Sequence, residues 1–400
     1  METISRRIQE MAESETLAMT AKARELKEQG KNIISLSIGE PDFDTPEVVK
    51  QAAKQAIDDN FTHYPPVPGY PDVRQAVCDK FKRDNNLDFT PDQIVVSTGA
   101  KQSLYQVCQV LVNPGDEVII PAPYWVSYKA FASMAGGKCI FVETSLENDF
   151  KITPQQLEAA ITPKTKVMFF NSPSNPTGMC YTKQELRALA DVIARHPNII
   201  VVADEIYEYI NYVGTRESFA QFPEIRDRVV TVNGVAKGYA MTGWRIGYIA
   251  ASKEIAKACN KLQGQVTSAT CSIAQKATVA ALQLDPDKSQ EIIDMRETFR
   301  HRRDLVFNLL SEMPGVKVRM PQGAFYFFPE ISDLFGKSFN GQVMNNSTDI
   351  AMYLLNEAGV ATVMGSAFGN DNCIRLSYAT SEENLIEAMR RMKEALAKLQ

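Results

Sequence analysis

One lysine is isolated in an apolar segment of the 400-residue chain. Lys237 lies in NGVAKGYAMTGWRIGY, residues 233–248, among glycine, alanine and aromatic residues, and the next charged residue is Arg245. Burial lowers the pKa of a lysine because it disfavours the charged form, and the neutral amine can form a Schiff base with a carbonyl group. Lys237 is therefore a candidate nucleophile.

Three other segments with candidate site residues follow predicted strands. Asp204 comes directly after NIIVVA, and Asn175 lies in NSPSNPTG, which follows KVMFF. Gly99 and Ala100 follow IVVS and precede a predicted helix. Taken singly, an acid after a strand can cap a helix and NPTG is a turn signal. Ligands of α/β sheets bind beyond the carboxyl ends of the strands, so we expect these segments to converge with Lys237 on one crevice.

This combination fits the requirements of pyridoxal phosphate. The cofactor needs a lysine, an acid that keeps its pyridine nitrogen protonated, and a site for its phosphate. Lys237 and Asp204 meet the first two needs. Gly99 and Ala100, at the start of a helix whose dipole favours anions, meet the third together with Arg245.

The surrounding elements predict an α/β fold. In the middle of the chain, β-branched runs such as IVVS, EVII and NIIVVAD alternate with helical stretches. Runs that are apolar at nearly every residue favour strands buried on both faces, and their alternation with helices predicts a mostly parallel sheet flanked by helices. In the closing helix, Ser381 is the predicted N-cap, and the apolar residues 385, 386, 389, 392 and 396 are predicted to form one face at helical spacing.

The length and the change of pattern near residue 290 predict two domains. We expect residues 1–45 to form an N-terminal arm and part of the small domain, residues 46–290 the large cofactor-binding domain, and residues 291–400 a small α+β domain.

Composition disfavours several functional classes. The net charge of −5, with mixed signs, argues against nucleic acid and against a membrane surface as partner. No apolar run is long enough to span a membrane, and the first residues do not resemble a secretory signal, so we expect a cytoplasmic protein. Seven cysteines without a C-x-x-C pair and three scattered histidines predict neither a disulfide framework nor a metal site.

The ordered motifs resemble those of the class I aminotransferases of pyridoxal-phosphate fold type I, and prokaryotic aspartate aminotransferases most closely. The motifs that support the resemblance span nearly the whole chain and are SIGEPDFDTP, YPPVPG, TGAKQSL, PAPYWVSY, NSPSNPTG, ADEIYEYI, AKGYAMTGWRIGY, QGAFYFF and IRLSYA. The resemblance implies a mostly parallel seven-stranded sheet, a smaller α+β domain, a homodimer and pyridoxal 5'-phosphate as cofactor.

The resemblance also implies roles around the cofactor. Lys237 would bind it and move the proton at the substrate Cα, and Asp204 would pair with its ring nitrogen. The remaining cofactor contacts would come from Tyr207 and Asn175 at the phenolic oxygen, Trp125 on the ring face, Gly99, Ala100, Lys101 and Arg245 toward the phosphate, and Tyr64 from the partner subunit. The family often has serines just before the lysine, where this chain has Gly234 and Ala236.

For the substrate, the resemblance implies that Arg375 binds the α-carboxylate, assisted by Gly39 and by the cofactor residues Trp125 and Asn175. Lys101, with Ser14 and Thr16 of the N-terminal arm, would face a distal carboxylate. This predicts amino transfer between L-aspartate and 2-oxoglutarate by a ping-pong mechanism. An aromatic or prephenate aminotransferase is the alternative, and a C–S lyase on the same fold is less favoured.

Overall fold

The structure is a computed structural model that describes residues 3–9, 11, 13 and 15–400. The helices are α1 (Arg6–Gln9), α2 (Glu15–Glu28), α3 (Glu47–Asp58), α4 (Pro71–Asn85), α5 (Ala100–Leu111), α6 (Ser127–Met134), α7 (Pro154–Ala160), α8 (Lys183–Arg195), α9 (Lys253–Val266), α10 (Ser272–Gln283), α11 (Gln290–Ser311), α12 (Ser347–Tyr353) and α13 (Glu382–Leu396). The strands are β1 (Ile34–Ser35), β2 (Ile94–Ser97), β3 (Glu117–Ala122), β4 (Lys138–Glu143), β5 (Thr165–Asn171), β6 (Ile200–Asp204), β7 (Val229–Gly234), β8 (Gly247–Ala250), β9 (Tyr326–Phe327), β10 (Ser338–Phe339), β11 (Gln342–Val343), β12 (Val360–Ala361), β13 (Val363–Met364) and β14 (Ile374–Ser377).

A seven-stranded sheet forms the centre of the described chain, in the order β2-β8-β7-β6-β5-β3-β4. Only β8 runs antiparallel to its neighbours among these strands, β2 and β7. Side chains alternate between the two faces, so Val201 and Ala203 pack in one apolar cluster while Val202 packs in the other. The predicted fold class, with its mostly parallel sheet flanked by helices, is confirmed.

A second, smaller layer packs beside this sheet. Strands β13, β14 and β9 form an antiparallel sheet, and α11 and α13 contribute Phe299, Met389 and Met392 to the apolar cluster beside it. Strand β1, near the start of the chain, pairs in parallel with β12 near its end. The boundaries at residues 45 and 290 stay a proposal. No helix within the described residues has the length and apolarity that crossing a membrane requires.

Candidate active site

A cavity of about 260 Å³ lies between the carboxyl ends of the central strands and the smaller sheet. Most of the residues expected at the site line it, namely Thr16, Gly39, Ala100, Lys101, Trp125, Asn175, Asp204, Tyr207, Lys237, Arg245 and Arg375. Gly99 adjoins the wall because it directly precedes α5. The structure therefore brings together segments that are far apart in the sequence.

Lys237 follows β7 and points its amine into this cavity. The Nζ atom donates a hydrogen bond to the carbonyl oxygen of Gly39. Burial lowers the pKa of Lys237 to about 8; the positive charges of Arg375 and Arg245 act in the same direction, and the Glu40 carboxylate opposes them. A lysine in this state loses its proton close to neutral pH, as a nucleophile or a general base requires.

Asp204, the last residue of β6, is buried on the cavity wall. The Tyr128 hydroxyl donates to Asp204 Oδ2 over 2.8 Å, and the Ile206 amide donates to Oδ1 over 3.3 Å. Burial raises the pKa of Asp204 to about 6, although both hydrogen bonds lower it. The charge of Lys237 also lowers this pKa, but no cation among the described residues lies within ion-pair distance of the carboxylate; a protonated ring nitrogen would provide that partner.

Tyr128 and Asn171 were not predicted as site residues. The ring of Tyr128, on α6, stacks on Phe169 with centroids 4.5 Å apart, and its hydroxyl orients Asp204. Asn171, at the end of β5, donates from its side chain to the backbone carbonyl of Asp204 and accepts from the backbone amide of Asn175, both over 2.7 Å. The quoted motif PAPYWVSY contains Tyr128 three residues after Trp125, and this helical spacing is the signal that could have identified it.

Tyr326 was also not predicted as a site residue. Its hydroxyl is 2.8 Å from the Tyr207 hydroxyl, and its ring lies 4.5 Å from the Arg375 guanidinium. A Cβ atom at Gly39 would be 2.5 Å from the Tyr326 hydroxyl, so the close approach of these two segments requires glycine. The pKa of Tyr207 lies well above its usual range, mainly because of burial, so Tyr207 keeps its proton as a hydrogen-bond donor.

Arg375, on β14, is almost completely buried, with 2% of its surface exposed. It donates from Nη1 to Asn175 Oδ1 over 3.0 Å and from Nη2 to the Ser37 carbonyl over 2.7 Å, while Nε has no partner in the structure. Among the described residues, no carboxylate is within ion-pair distance of its guanidinium. Because a buried charge without a counterion is unfavourable, this arrangement is suited to an anionic ligand.

The N-terminus of α5 and Arg245 form an anion-binding corner of the cavity. A Cβ atom at Gly99 would be 2.3 Å from Arg245 Nη2, so the guanidinium packs directly on the backbone before the helix. Helix N-termini attract anions through their free amides and dipole. On the opposite side, a Cβ at Gly234 would be 2.8 Å from the Ile246 carbonyl oxygen, so a serine there would need a backbone shift.

Lys101 and Thr16 lie at another part of the same cavity. Lys101 is an exposed residue, but its Nζ lies 5.2 Å from the centre of the Trp125 ring, and partial desolvation of the amine there, followed by the charge of Arg245, lowers its pKa. The hydroxyl of Thr16 is buried and has no hydrogen-bond partner among the described residues. Ser14 lies outside the described residues. Tyr64 is 95% exposed and does not line the cavity, so within one chain it is not brought to the site.

The residues present fit pyridoxal phosphate. The cavity combines a lysine of lowered pKa, a buried acid without a cationic partner and a corner suited to a phosphate. An added Cβ would lie 2.3 Å from Arg245 Nη2 at Gly99 and 2.1 Å from the Ala100 amide nitrogen at Gly247, so glycine at these positions lets the guanidinium and β8 approach the start of α5.

Comparison with known proteins identifies the class and then the family. A family model described as aminotransferase class I and II matches residues 31–392. Together with the fold and the lysine-containing cavity, this match defines the protein as a transaminase. The chain belongs to the class I and II aminotransferase family, whose members use pyridoxal phosphate.

The similarity extends over complete chains. The aspartate/prephenate aminotransferase of Cereibacter sphaeroides is 48% identical over 390 residues, covering 96% of each protein. A crystal structure of the aspartate aminotransferase from Rhizobium meliloti is 43% identical, covers 100% of both chains and superposes with a TM-score of 0.96. The aspartate aminotransferase from Thermus thermophilus with maleate is also 43% identical, covering 99% of this chain and 100% of that one, with a TM-score of 0.92.

Proposed function

We propose that the protein transfers the amino group between L-aspartate and 2-oxoglutarate, forming oxaloacetate and L-glutamate by a ping-pong mechanism. One observation supports this choice: besides Lys237 and Arg245, which are assigned to the cofactor, the cavity contains two further side-chain cations, Arg375 and Lys101, and no described residue gives either of them a carboxylate partner. Two separate cations favour a ligand with two carboxylates. The Thermus thermophilus relative was solved with maleate, which is a dicarboxylate.

In the proposed reaction, pyridoxal 5'-phosphate supplies an electron sink that stabilises negative charge at the substrate Cα. Lys237 holds the cofactor and in its neutral form accepts the Cα proton. Asp204, oriented by Tyr128, holds a proton at the ring nitrogen. Tyr207 and Asn175 donate toward the phenolic oxygen, and Trp125 covers the ring face.

The other residues bind and orient. Arg245 and the backbone at Gly99 and Ala100 hold the phosphate, with Lys101 beside them. Arg375 forms two hydrogen bonds with the α-carboxylate, next to Gly39, and Lys101, Thr16 and Ser14 receive the distal carboxylate. We also propose a homodimer in which Tyr64 reaches the partner's phosphate site; its 95% exposure in the single chain supports this assignment. We further propose a cytoplasmic location.

A panel of half-reactions tests this function. The pyridoxal form is mixed with each amino acid in turn, and its conversion to the amino form is followed by absorbance. Aspartate and glutamate should react with the highest kcat/KM, well above alanine, leucine and phenylalanine. A ranking led by an apolar amino acid would overturn the proposal. Release of pyruvate and ammonia from a β-substituted amino acid without a keto acid would indicate the C–S lyase instead.

Prephenate is the second candidate substrate, because the Cereibacter sphaeroides relative is named for both aspartate and prephenate. Prephenate also has two carboxylates, so it could use the same two cations. The amino form, generated with glutamate, is mixed with prephenate, oxaloacetate or phenylpyruvate. Rapid return to the pyridoxal form with prephenate but not with phenylpyruvate would support dual specificity.

We expect Lys101→Ser to raise KM for aspartate about 10- to 100-fold, because the loss of one charged hydrogen bond removes roughly 1.5–3 kcal/mol of binding. KM for phenylalanine should change less than about threefold, since its side chain has no charge. Steady-state kinetics with both donors measure the difference. The control is the same substitution, Lys129→Ser, at an exposed lysine of α6 outside the cavity; it should leave both KM values unchanged. Equal changes in both KM values would contradict the assignment.

A further inference from the structure

A group of charged and amide side chains is buried next to the active site without lining the cavity. We define it as the Glu208 cluster: Lys80, Asp84 and Asn85 on α4, Glu208 in the segment after β6, and Asn233 on β7. Lys80 is 0% exposed and Glu208 5% exposed. None of the five lines the cavity, and the roles proposed above use none of them.

Glu208 is the centre of this cluster. Its Oε1 atom lies 2.5 Å from Lys80 Nζ and accepts from Asn233 Nδ2 over 2.7 Å. Its Oε2 atom accepts from Asn85 Nδ2 over 3.3 Å. Lys80 Nζ also donates to Asn85 Oδ1 over 2.7 Å and lies 3.8 Å from Asp84 Oδ2. Among the described residues, none of the five side chains has a buried polar atom without a hydrogen-bond partner.

The cluster joins two segments that bear proposed catalytic residues. Glu208 directly follows Tyr207 and is four residues after Asp204, whereas Asn233 is four residues before Lys237. Asn233 is itself fixed, because its Oδ1 atom accepts the Gly234 amide over 2.7 Å. The Glu208–Asn233 hydrogen bond is thus a direct side-chain link between two segments: the one that contains Asp204 and Tyr207 and the one that contains Lys237.

A contribution to folding stability does not by itself explain why Lys80 and Glu208 are buried as an ion pair. Removing two charges from water is costly, and replacing a buried ion pair by apolar residues of similar volume is often neutral or stabilising. A buried polar network can instead specify how two elements lie against each other. Here the two elements are the segment at the end of β6, which contains Asp204 and Tyr207, and the end of β7, which leads to Lys237. Their relative position sets the distance from Asp204 and Tyr207 to the Lys237 amine.

We propose that Glu208 is a positioning residue that aligns the Asp204–Tyr207 segment with the Lys237 segment through its hydrogen bond with Asn233. This inference rests on the proposed function, because it assigns the alignment to the transamination chemistry. Glu208 acts through its hydrogen bond and not through its charge at the reacting atoms. A displacement of about 1 Å in such a site can lower the rate about 100-fold.

Two double variants separate the link from the ion pair. Lys80→Met with Glu208→Gln removes both charges but keeps an oxygen that can accept from Asn233. Lys80→Met with Glu208→Met removes the charges and the link together. Asp84 keeps its ion pair with Arg83 in both variants, so neither leaves an unpaired buried charge and both should fold. Asn233→Leu removes the Glu208–Asn233 hydrogen bond by changing Asn233 instead. Val77→Ala, at a buried position of α4, is the control for a loss of stability alone.

Three readouts are compared on the cofactor-bound enzyme: kcat and KM for aspartate, the pKa of the pH-dependent absorbance of the bound cofactor, and Tm. We expect Lys80→Met/Glu208→Met and Asn233→Leu to lower kcat about 10- to 100-fold with KM changed less than about threefold. Their absorbance pKa should shift by at least about 0.5. Lys80→Met/Glu208→Gln should stay within about threefold of the unmodified enzyme, and Val77→Ala should lower only Tm.

The outcomes are distinct. If the variants that break the link change only Tm, as Val77→Ala does, or if both double variants lose activity equally, Glu208 is structural and the inference is overturned. Failure of the unmodified enzyme to react with aspartate would overturn the proposed substrate instead. In that case the absorbance pKa, which does not depend on the amino acid, still decides whether Glu208 aligns the site.

Discussion

Replacing Lys237 with alanine is expected to abolish transamination, with a loss in kcat of at least about 10⁴-fold. A positioned general base alone contributes about 10²- to 10⁴-fold, and Lys237 would also be the covalent attachment point of the cofactor. In the structure, its amine has a pKa of about 8 because it is buried, which makes the neutral form accessible near neutral pH. Single-turnover conversion of the pyridoxal form with saturating aspartate measures the loss.

Lys237→Arg is the matched control for charge. Arginine keeps the positive charge in the cavity, but its guanidinium does not lose a proton in the working pH range. This variant should therefore be as inactive as Lys237→Ala. Lys276→Ala, at a lysine that pairs with Asp72 outside the cavity, should keep full activity. An active Lys237→Ala or Lys237→Arg enzyme would refute the assigned role.

The convergence of the site could be predicted because it follows from sheet topology. Asn175 and Lys237 follow strands of the mostly parallel sheet and Asp204 is the last residue of one, and the carboxyl ends of β5, β6 and β7 meet at one edge. Arg375 was placed by its motif, because its strand belongs to the other sheet. The antiparallel orientation of β8 was not predicted, since apolar periodicity does not encode strand direction.

The hydrogen bonds that Tyr128 and Tyr326 form with site residues could not be predicted, although the spacing of Tyr128 from Trp125 could have placed it near the site. Tyr128 and Tyr326 lie in apolar motifs, and a tyrosine in such a sequence resembles an ordinary core residue. Their partners, Asp204 and Tyr207, are distant in the chain, so only the packing of α6 and β9 against the central sheet brings them together. The Lys80–Glu208 ion pair could not be predicted either, because a lysine on an amphipathic helix is usually exposed.

Helix α13 shows where periodicity succeeds and where it fails. Ser381 caps the helix by accepting from the Asn384 amide, as predicted. On the predicted apolar face Leu385, Met389, Met392 and Leu396 are buried, but Ile386 is 50% exposed, so this face is not buried over its whole width. The buried stripe is completed by Ala388 and Ala395, because small residues fit where the helix lies closest to its neighbours. Hydrophobicity alone did not distinguish these positions.

Asp204→Asn is expected to lower kcat at least about 10³-fold. The amide keeps the shape of the side chain and can still accept from Tyr128, but it cannot hold a proton at the ring nitrogen of the cofactor by charge. The electron sink is then weakened in the step that removes the Cα proton. KM should change less than kcat, because Asp204 does not face the substrate carboxylates. Tyr128→Phe, which only loosens the carboxylate, should cause a smaller loss.

The same substitution should stabilise the cofactor-free protein, the opposite of its effect on activity. Burial raises the pKa of Asp204 from 3.8 to about 6, so between these values the folded state binds a proton that the unfolded state has lost. Stability therefore falls as pH rises from about 4 to 6, and the full penalty, about 3 kcal/mol, remains above pH 6. Asparagine does not ionise, so it avoids this penalty.

Urea unfolding of both cofactor-free proteins between pH 5 and 8 measures this difference. The Asp204→Asn protein should gain up to about 3 kcal/mol at pH 7 relative to the unmodified protein, and the gain should shrink as the pH approaches 5. With bound cofactor the order should reverse, because only the carboxylate then acquires a positive partner. A gain in stability that is independent of pH, or an Asp204→Asn enzyme with normal kcat, would show that the buried carboxyl is not held ready for a cationic ring.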